Sequence, residues 1–99
     1  MYRVREVLNC KPGKVGELKK KFKALSVVME RMGVKPFRLL TDVSGEPFWT
    51  LVAETDIDSL NDLVDMEAKV MADTEAQKAM SGYHDLVVSG RREIYSIES

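Results

Sequence analysis

The stretch from Phe37 to Glu54 places the strongest constraint on the fold of this chain. It contains two runs rich in aromatic and β-branched residues, which is the composition of strands. The segment Ser44–Glu46 separates the runs and Pro47 follows it, so the sequence predicts a hairpin with a tight turn there. A strand and a helix are predicted before this hairpin, and helices and a strand after it. The hairpin therefore fixes the middle of a β-α-β-β-α-β order.

The other elements follow from side-chain periodicity and turn residues. Apolar residues at steps of three and four predict the helices, and Gly33 is expected to end the first of them. Breaks are expected near Ala72 and Gly82. The predicted elements are a strand at Tyr2–Cys10, a helix at Val15–Met32, a helix that starts after the capping residues Asp56–Ser59 and continues to Met71, a short helix from Asp73 or Thr74 to about Leu86, a turn at Ser89–Gly90, and a strand at Arg91–Ile97.

This order of elements predicts an α+β fold of the ferredoxin-like type. With right-handed crossovers, the four strands form one antiparallel sheet that carries its helices on one face. A chain of 99 residues is long enough for one modest core, so residues 1–99 are expected to form a single domain.

The hairpin also suggests how the chain assembles. Alternation of strand side chains places Arg38 and Leu40 on the same face as Trp49 and Leu51. Because the helices can cover only one face of the sheet, this second apolar face needs another cover. Two such faces packed together form a dimeric α/β barrel, so we expect a homodimer with a cavity between its sheets.

Composition excludes several classes of partner. The net charge is −1, whereas binding to nucleic acid or to an anionic membrane needs a clustered positive excess. No apolar run approaches the ~20 residues that span a bilayer, and the charged N-terminus does not resemble a signal peptide. Cys10 is the only cysteine, which excludes an intrachain disulfide and favours a reducing compartment. We therefore expect a cytoplasmic protein and an unreactive, buried thiol.

Both ends of the chain resemble a known family. Tyr2–Glu6, followed by Lys11-Pro-Gly-Lys before the first helix, and the closing segment Val87–Tyr95 are similar to NIPSNAP-like proteins of the dimeric α/β-barrel superfamily. The resemblance implies a dimeric barrel with a ligand-sized cavity, but no particular reaction. The wider superfamily includes antibiotic-biosynthesis-type monooxygenases, haem-degrading monooxygenases and ligand-binding stress proteins.

Haem binding is one reading that the resemblance raises. In the haem-degrading relatives, a histidine on a late helix ligates iron, with an asparagine on the first strand and a tryptophan as distal partners. Asn9, Trp49 and His84 supply these residue types, but this tryptophan lies on the third strand rather than in the second helical region. His84 is also open to an acid–base role or to a plain surface position. With no second histidine, no metal site and no cofactor are predicted.

The candidate ligand-binding residues are those expected to face the cavity between the two sheets. They are Trp49, Arg38, Leu51, Arg5, Asn9 and His84. An arginine in a cavity can form paired hydrogen bonds with a ligand carboxylate, although it can equally pair with a neighbouring acid. Three functions stay open: a cavity protein for a small apolar or aromatic ligand, a cofactor-independent monooxygenase-like enzyme or isomerase, and a structural interaction domain.

Overall fold

The predicted order of elements is confirmed by the computed structural model, which describes residues 1–99. The elements are β1 (Tyr2–Cys10), α1 (Val15–Arg31), β2 (Arg38–Thr41), β3 (Thr50–Ile57), α2 (Leu60–Met71), α3 (Thr74–Ala79) and β4 (Val87–Ser96). A single 3₁₀ turn at Tyr83–Asp85 precedes β4. The strands form one sheet in the order β2-β3-β1-β4, and every neighbouring pair is antiparallel. This is the ferredoxin-like α+β fold.

The helices begin and end where local chemistry favours it. α1 buries a stripe that includes Leu18, Phe22 and Leu25, and Gly33 follows it with φ of +74°, a conformation that costs glycine little. α2 begins with a capping box, in which Ser59 Oγ accepts from the backbone N–H of Asp62 and the Asp62 carboxylate accepts from the backbone N–H of Ser59. No helix is both long enough and apolar enough to cross a membrane.

All helices lie on the same face of the sheet, which we call the helix-side face. The main core forms there, between α1 and strand residues such as Leu51 and Ala53. A smaller cluster of Val4, Ile57 and Leu63 fills the other end. We call the opposite face the open face. Alternation and register place the following residues on it: Arg3, Arg5, Val7, Asn9, Arg38, Leu40, Thr50, Val52, Glu54, Asp56, Ser89, Arg91, Glu93 and Tyr95.

The predicted grouping of side chains across the hairpin is wrong. Leu40 pairs with Val52, so Leu51 lies on the helix-side face, where it is fully buried. The connection is not a three-residue turn but the eight-residue segment 42–49. Trp49 ends it with φ of +67°, which breaks the alternation of an extended strand. The register is consequently shifted by one residue, so every side chain of β3 lies on the face of the sheet opposite to the predicted one.

The predicted turn at Ser89–Gly90 is also wrong, because both residues lie within β4. Gly90 pairs with Leu8. A Cβ atom on Gly90 would lie 3.1 Å from Cδ2 of Leu8, which is tighter than an ordinary contact. This glycine therefore serves close packing within the sheet rather than a reversal of the chain.

Segment 42–49 crosses the open face, and we call it the strap. The backbone N–H of Cys10 donates to the carbonyl of Trp49 at 2.9 Å, and Arg91 on β4 reaches Glu46. Since β3 and β1 lie between β2 and β4, the strap and the side chain of Arg91 together span the middle strands on this face. Val7, at the centre of this face, is only 2% exposed although no helix covers it. The strap thus provides a partial cover for the open face.

Candidate functional site

An apolar cleft opens on the helix-side face near the β4 edge of the sheet. α1 and α2 pack mainly over β2 and β3, whereas on that side β4 packs mainly against the 3₁₀ turn and reaches α2 through Arg92 and Glu67. The cleft has a volume of about 680 Å³. Its apolar lining comes from β1, α1, α2, α3 and the segment after α3. The residues are Leu8, Phe22, Val70, Met71, Ala76, Met80 and Tyr83.

A carboxylate lies among these apolar side chains. Glu6 projects from the helix-side face of β1 and lines both this cleft and a neighbouring cavity of about 400 Å³. Arg92 donates from Nε to Glu6 and from Nη2 to Glu67. Burial opposes the charged form of Arg92, but its bonds to the two carboxylates outweigh that effect and raise the pKa of the guanidinium. Glu6 is thereby held in one position beside the apolar lining.

His84 lies at the edge of the cleft and stacks on Tyr83. Their ring centroids are 4.0 Å apart and the rings are tilted by 33°. Gly82 precedes them in a left-handed conformation with φ of +79°, which ends the helical segment near the position that the sequence indicated. The 3₁₀ turn thus places an imidazole and a phenol ring side by side at the cleft.

The open face carries ion pairs instead of the large apolar surface that was expected. Glu54 is only 4% exposed and accepts from Nε of Arg5 at 2.9 Å and from Nη2 of Arg38 at 2.6 Å. Arg3 similarly donates to Asp56 at 2.9 Å. The bond from Arg38 is the main cause of the lowered pKa of Glu54, with burial acting against it and Arg5 adding to it. This face is therefore polar but internally paired.

The structure divides the predicted site residues between the two faces. Arg5 and Arg38 meet at Glu54 on the open face, and Asn9 lies on that face too, where its Oδ1 accepts from Thr50 Oγ1 at 2.9 Å. Leu51 is a core residue, so its expected place in an open-face cavity is wrong. The expected placement of His84 in that cavity is also wrong, since it lines the cleft on the opposite face.

The trio considered for haem is not assembled. Asn9 and His84 lie on opposite faces of the sheet, and Trp49 belongs to the strap, where its side chain is 42% exposed. No group of three His, Cys, Asp or Glu side chains that could hold a metal ion forms either. Cys10 is buried and free, as predicted, and burial is the main cause of its raised pKa, so it is a poor nucleophile.

Sequence reasoning missed the cleft and its carboxylate. One signal was present: Glu6 interrupts the otherwise apolar series Val4, Leu8 and Cys10 on the helix-side face of β1. A charged residue that interrupts the buried side of a strand needs a partner, and here it has Arg92. The aromatic pair at the cleft edge carried no comparable signal, because its position depends on how α3 ends.

Comparisons with known proteins show which solved structures share this fold. No protein-family model matches the sequence, and no curated protein matches it. Among solved structures, a NIPSNAP family protein from Agrobacterium tumefaciens is similar with a TM-score of 0.81 and 17% identity, over 99% of this chain and 94% of that one. An uncharacterized NIPSNAP domain protein from Burkholderia xenovorans gives 0.80 and 16%, over 100% and 96%.

A third similar structure comes from a different group of proteins. It is a candidate antibiotic biosynthesis monooxygenase from Nitrosomonas europaea, with a TM-score of 0.73 and 14% identity over the full length of both chains. At such identities the likeness concerns the fold and not the reaction. The resemblance read from the two ends of the sequence is confirmed at that level: over nearly its whole length, this chain has the fold of the NIPSNAP family proteins.

Proposed function

We propose that this protein is a homodimer that binds a small apolar or aromatic molecule in the cleft on its helix-side face. The observation that carries the proposal is the lining of the cleft, where apolar side chains surround one fixed carboxylate, Glu6. Ligand sites in proteins typically combine an apolar lining with a few positioned polar groups, in volumes of roughly 300–1,000 Å³. The cleft, at about 680 Å³, falls within that range.

The polar groups of the cleft support a ligand with a hydrogen-bond donor at one end. Glu6 can accept from a hydroxyl or an amine, while Arg92 keeps the carboxylate oriented. Tyr83 and Phe22 offer aromatic surface for the ligand body. A phenol-like or aromatic amine-like molecule fits this arrangement better than an anion, which Glu6 would repel.

The shape of the chain supports the homodimer. The molecule is a slab of 35 × 34 × 17 Å, and one of its broad sides is the open face. That side is large enough for the ~800 Å² that each partner buries in a typical stable interface. The strap also presents two highly exposed apolar side chains, Val43 at 97% and Phe48 at 82%. A second copy that covers the open face would remove both from water, at roughly 25 cal/mol for each Å² of apolar surface buried.

Ligand binding can be tested with 1-naphthol, an aromatic alcohol, by following amide shifts in NMR spectra. We expect saturable shifts at Leu8, Val70 and Tyr83. The variant Val70→Trp should fill the cleft and abolish these shifts, whereas Val64→Trp, on the exposed side of the same helix, should leave them unchanged. Equal binding by both variants, or shifts confined to the open face, would refute the proposed site.

The dimer can be tested separately by sedimentation equilibrium. Leu40→Lys adds a charge to the open face, and Val64→Lys adds the same charge to the outer surface of α2. We expect the first variant to dissociate into monomers and the second to stay dimeric. A wild-type protein that sediments as a monomer at all accessible concentrations would contradict the assembly without affecting the cleft.

With its single buried thiol, such a dimer suits a reducing compartment such as the cytoplasm.

A further inference from the structure

A second pocket lies on the open face, at the end of the sheet where β1 begins and β4 finishes. Its volume is about 540 Å³. It is lined by Arg3, Arg5, Tyr95, Ser96, Ile97 and Ser99. No aspartate or glutamate side chain is among these residues. We propose that this pocket binds the carboxylate of a small organic anion with an apolar or aromatic body.

The two arginines are fixed in place but retain free donors. Arg5 donates to Glu54 through Nε alone, so both Nη groups of Arg5 stay free for a ligand. Asp56 accepts from Nε and Nη2 of Arg3, at 2.9 and 3.3 Å, which leaves Nη1. Alternate residues on a strand lie about 6.6 Å apart on the same face. A carboxylate between the two guanidinium groups can therefore receive hydrogen bonds from both, and little side-chain entropy is lost on binding.

Tyr95 supplies the apolar part of the pocket. Its ring packs against the guanidinium of Arg5, with Cζ of the arginine 5.7 Å from the ring centroid. The phenol hydroxyl donates to Glu93 at 3.3 Å, which fixes the ring. Beside it, Ile97 is only half-buried. A ligand with its carboxylate between the arginines would thus place its body against an aromatic face and an aliphatic side chain.

The charge balance favours a carboxylate over a phosphate. Asp56 pairs with Arg3, Glu54 pairs with Arg5, and Glu93 lies opposite Arg5 on β4, so little net positive charge remains. With so little net positive charge, a doubly charged phosphate gains little more attraction than a singly charged carboxylate, while it costs more to take out of water. The planar fork of an arginine also matches the geometry of a carboxylate. This pocket is on the opposite face from the apolar cleft, so the two ligand sites stand or fall independently. It lies on the face that the second copy of the proposed homodimer would cover, so in that dimer it would be a site between the two sheets.

The test is an NMR titration of the full chain with benzoate, with benzylamine and inorganic phosphate as comparison probes. We expect benzoate to shift the amides of Arg5, Tyr95 and Ile97 saturably and more strongly than the other probes do. Arg5→Gln should weaken benzoate binding by about tenfold or more. Arg31→Gln removes an arginine on α1 that is exposed and paired with Asp73, and it should leave benzoate binding unchanged.

Several results would overturn the proposal. They are the absence of a saturable shift, unchanged benzoate affinity in Arg5→Gln, benzylamine binding as tight as that of benzoate, and tighter binding of phosphate. If Arg5→Gln loses the dispersed amide spectrum of a folded protein, Arg5→Lys and Arg3→Gln replace it. Arg5→Lys keeps the charge but removes the fork, so it should also weaken benzoate binding, and wild-type affinity in both replacement variants would refute the site.

Discussion

Glu46 in the strap accepts two hydrogen bonds from Arg91 on β4, from Nη2 at 2.9 Å and from Nη1 at 3.2 Å. The arginine lies at the far edge of the sheet from the strand that leads into the strap. Their pairing lowers the pKa of Glu46 and raises that of Arg91. It is the contact that ties the middle of the strap to the other side of the open face, so the position of the strap should depend on it.

The first prediction concerns this tie. Glu46→Gln removes the negative charge while keeping the shape of the side chain, so the strap should open more often. Trp49, the only tryptophan, belongs to the strap and reports on it. We expect acrylamide to quench its fluorescence more efficiently in Glu46→Gln than in the wild type. Glu75→Gln breaks an exposed ion pair with Arg31 on the helix side and should leave the quenching unchanged. Identical quenching in all three proteins would show that the ion pair does not hold the strap.

The second prediction concerns pH. Because the folded state lowers the pKa of Glu54 from its ordinary value of 4.5, the ionised carboxylate favours folding. This contribution is complete above that value and is lost as the pH falls through the lower pKa of the folded state. Glu54→Gln should cost about 1–2 kcal/mol at neutral pH and make unfolding less dependent on pH in the acid range. Urea unfolding at about pH 7 and about pH 3 measures both effects. An equal pH dependence in both proteins would contradict the assignment.

The third prediction tests which face each hairpin residue occupies. Leu51→Ala should destabilise the protein by about 2–5 kcal/mol, because Leu51 is fully buried in the main core. Leu40→Ala, on the open face of the neighbouring strand, should cost under about 1 kcal/mol in the monomer. Chemical denaturation at low protein concentration separates the two. Similar losses for Leu40→Ala and Leu51→Ala would instead support the shared face that the sequence suggested.

The fourth prediction compares two glycines. Gly16 lies in α1 with open space around its missing Cβ, so Gly16→Ala should raise the free energy of unfolding by up to about 1 kcal/mol. Gly90→Ala should instead lower it, because the new Cβ presses on Leu8. Since Leu8 also lines the cleft, Gly90→Ala should weaken binding of 1-naphthol as well. Thermal unfolding and the naphthol titration check both expectations, and a stabilised Gly90→Ala protein would contradict the packing described.

The sequence was sufficient for the fold because its periodic segments are long. The apolar stripe of α1 and the capping residue Ser59 predict helices that the structure contains, with ends displaced by at most one residue. The predicted short helix is wrong at its end, since α3 stops at Ala79 rather than near Leu86. The resemblance at both chain ends pointed to the same topology. Local pattern and global order agree in these regions, which is why few alternatives were left.

The candidate site was less predictable because it depends on which residues of β2 and β3 share a face of the sheet and on the length of the loop between them. The predicted three-residue turn places Leu51 and Arg38 on the same side of the sheet, whereas the eight-residue strap places them on opposite sides. The left-handed conformation of Trp49 breaks the alternation of side chains before β3, and the residues around Trp49 do not predict that conformation. The error on His84 has a separate cause, because its position depends on how α3 ends. It therefore lies at the cleft on the helix-side face, whereas Asn9 lies on the open face as expected.

Two adjacent residues of β4 have a consequence for communication across the molecule. Arg91 ties the strap on one face, and Arg92 ties Glu6 and Glu67 on the other. Both are carried by an edge strand with one protein neighbour and largely exposed side chains. Edge strands of this kind open more easily than central ones. One local unfolding event at this strand would release the strap and loosen the cleft together, so the two faces can influence each other without any rearrangement of the core between them.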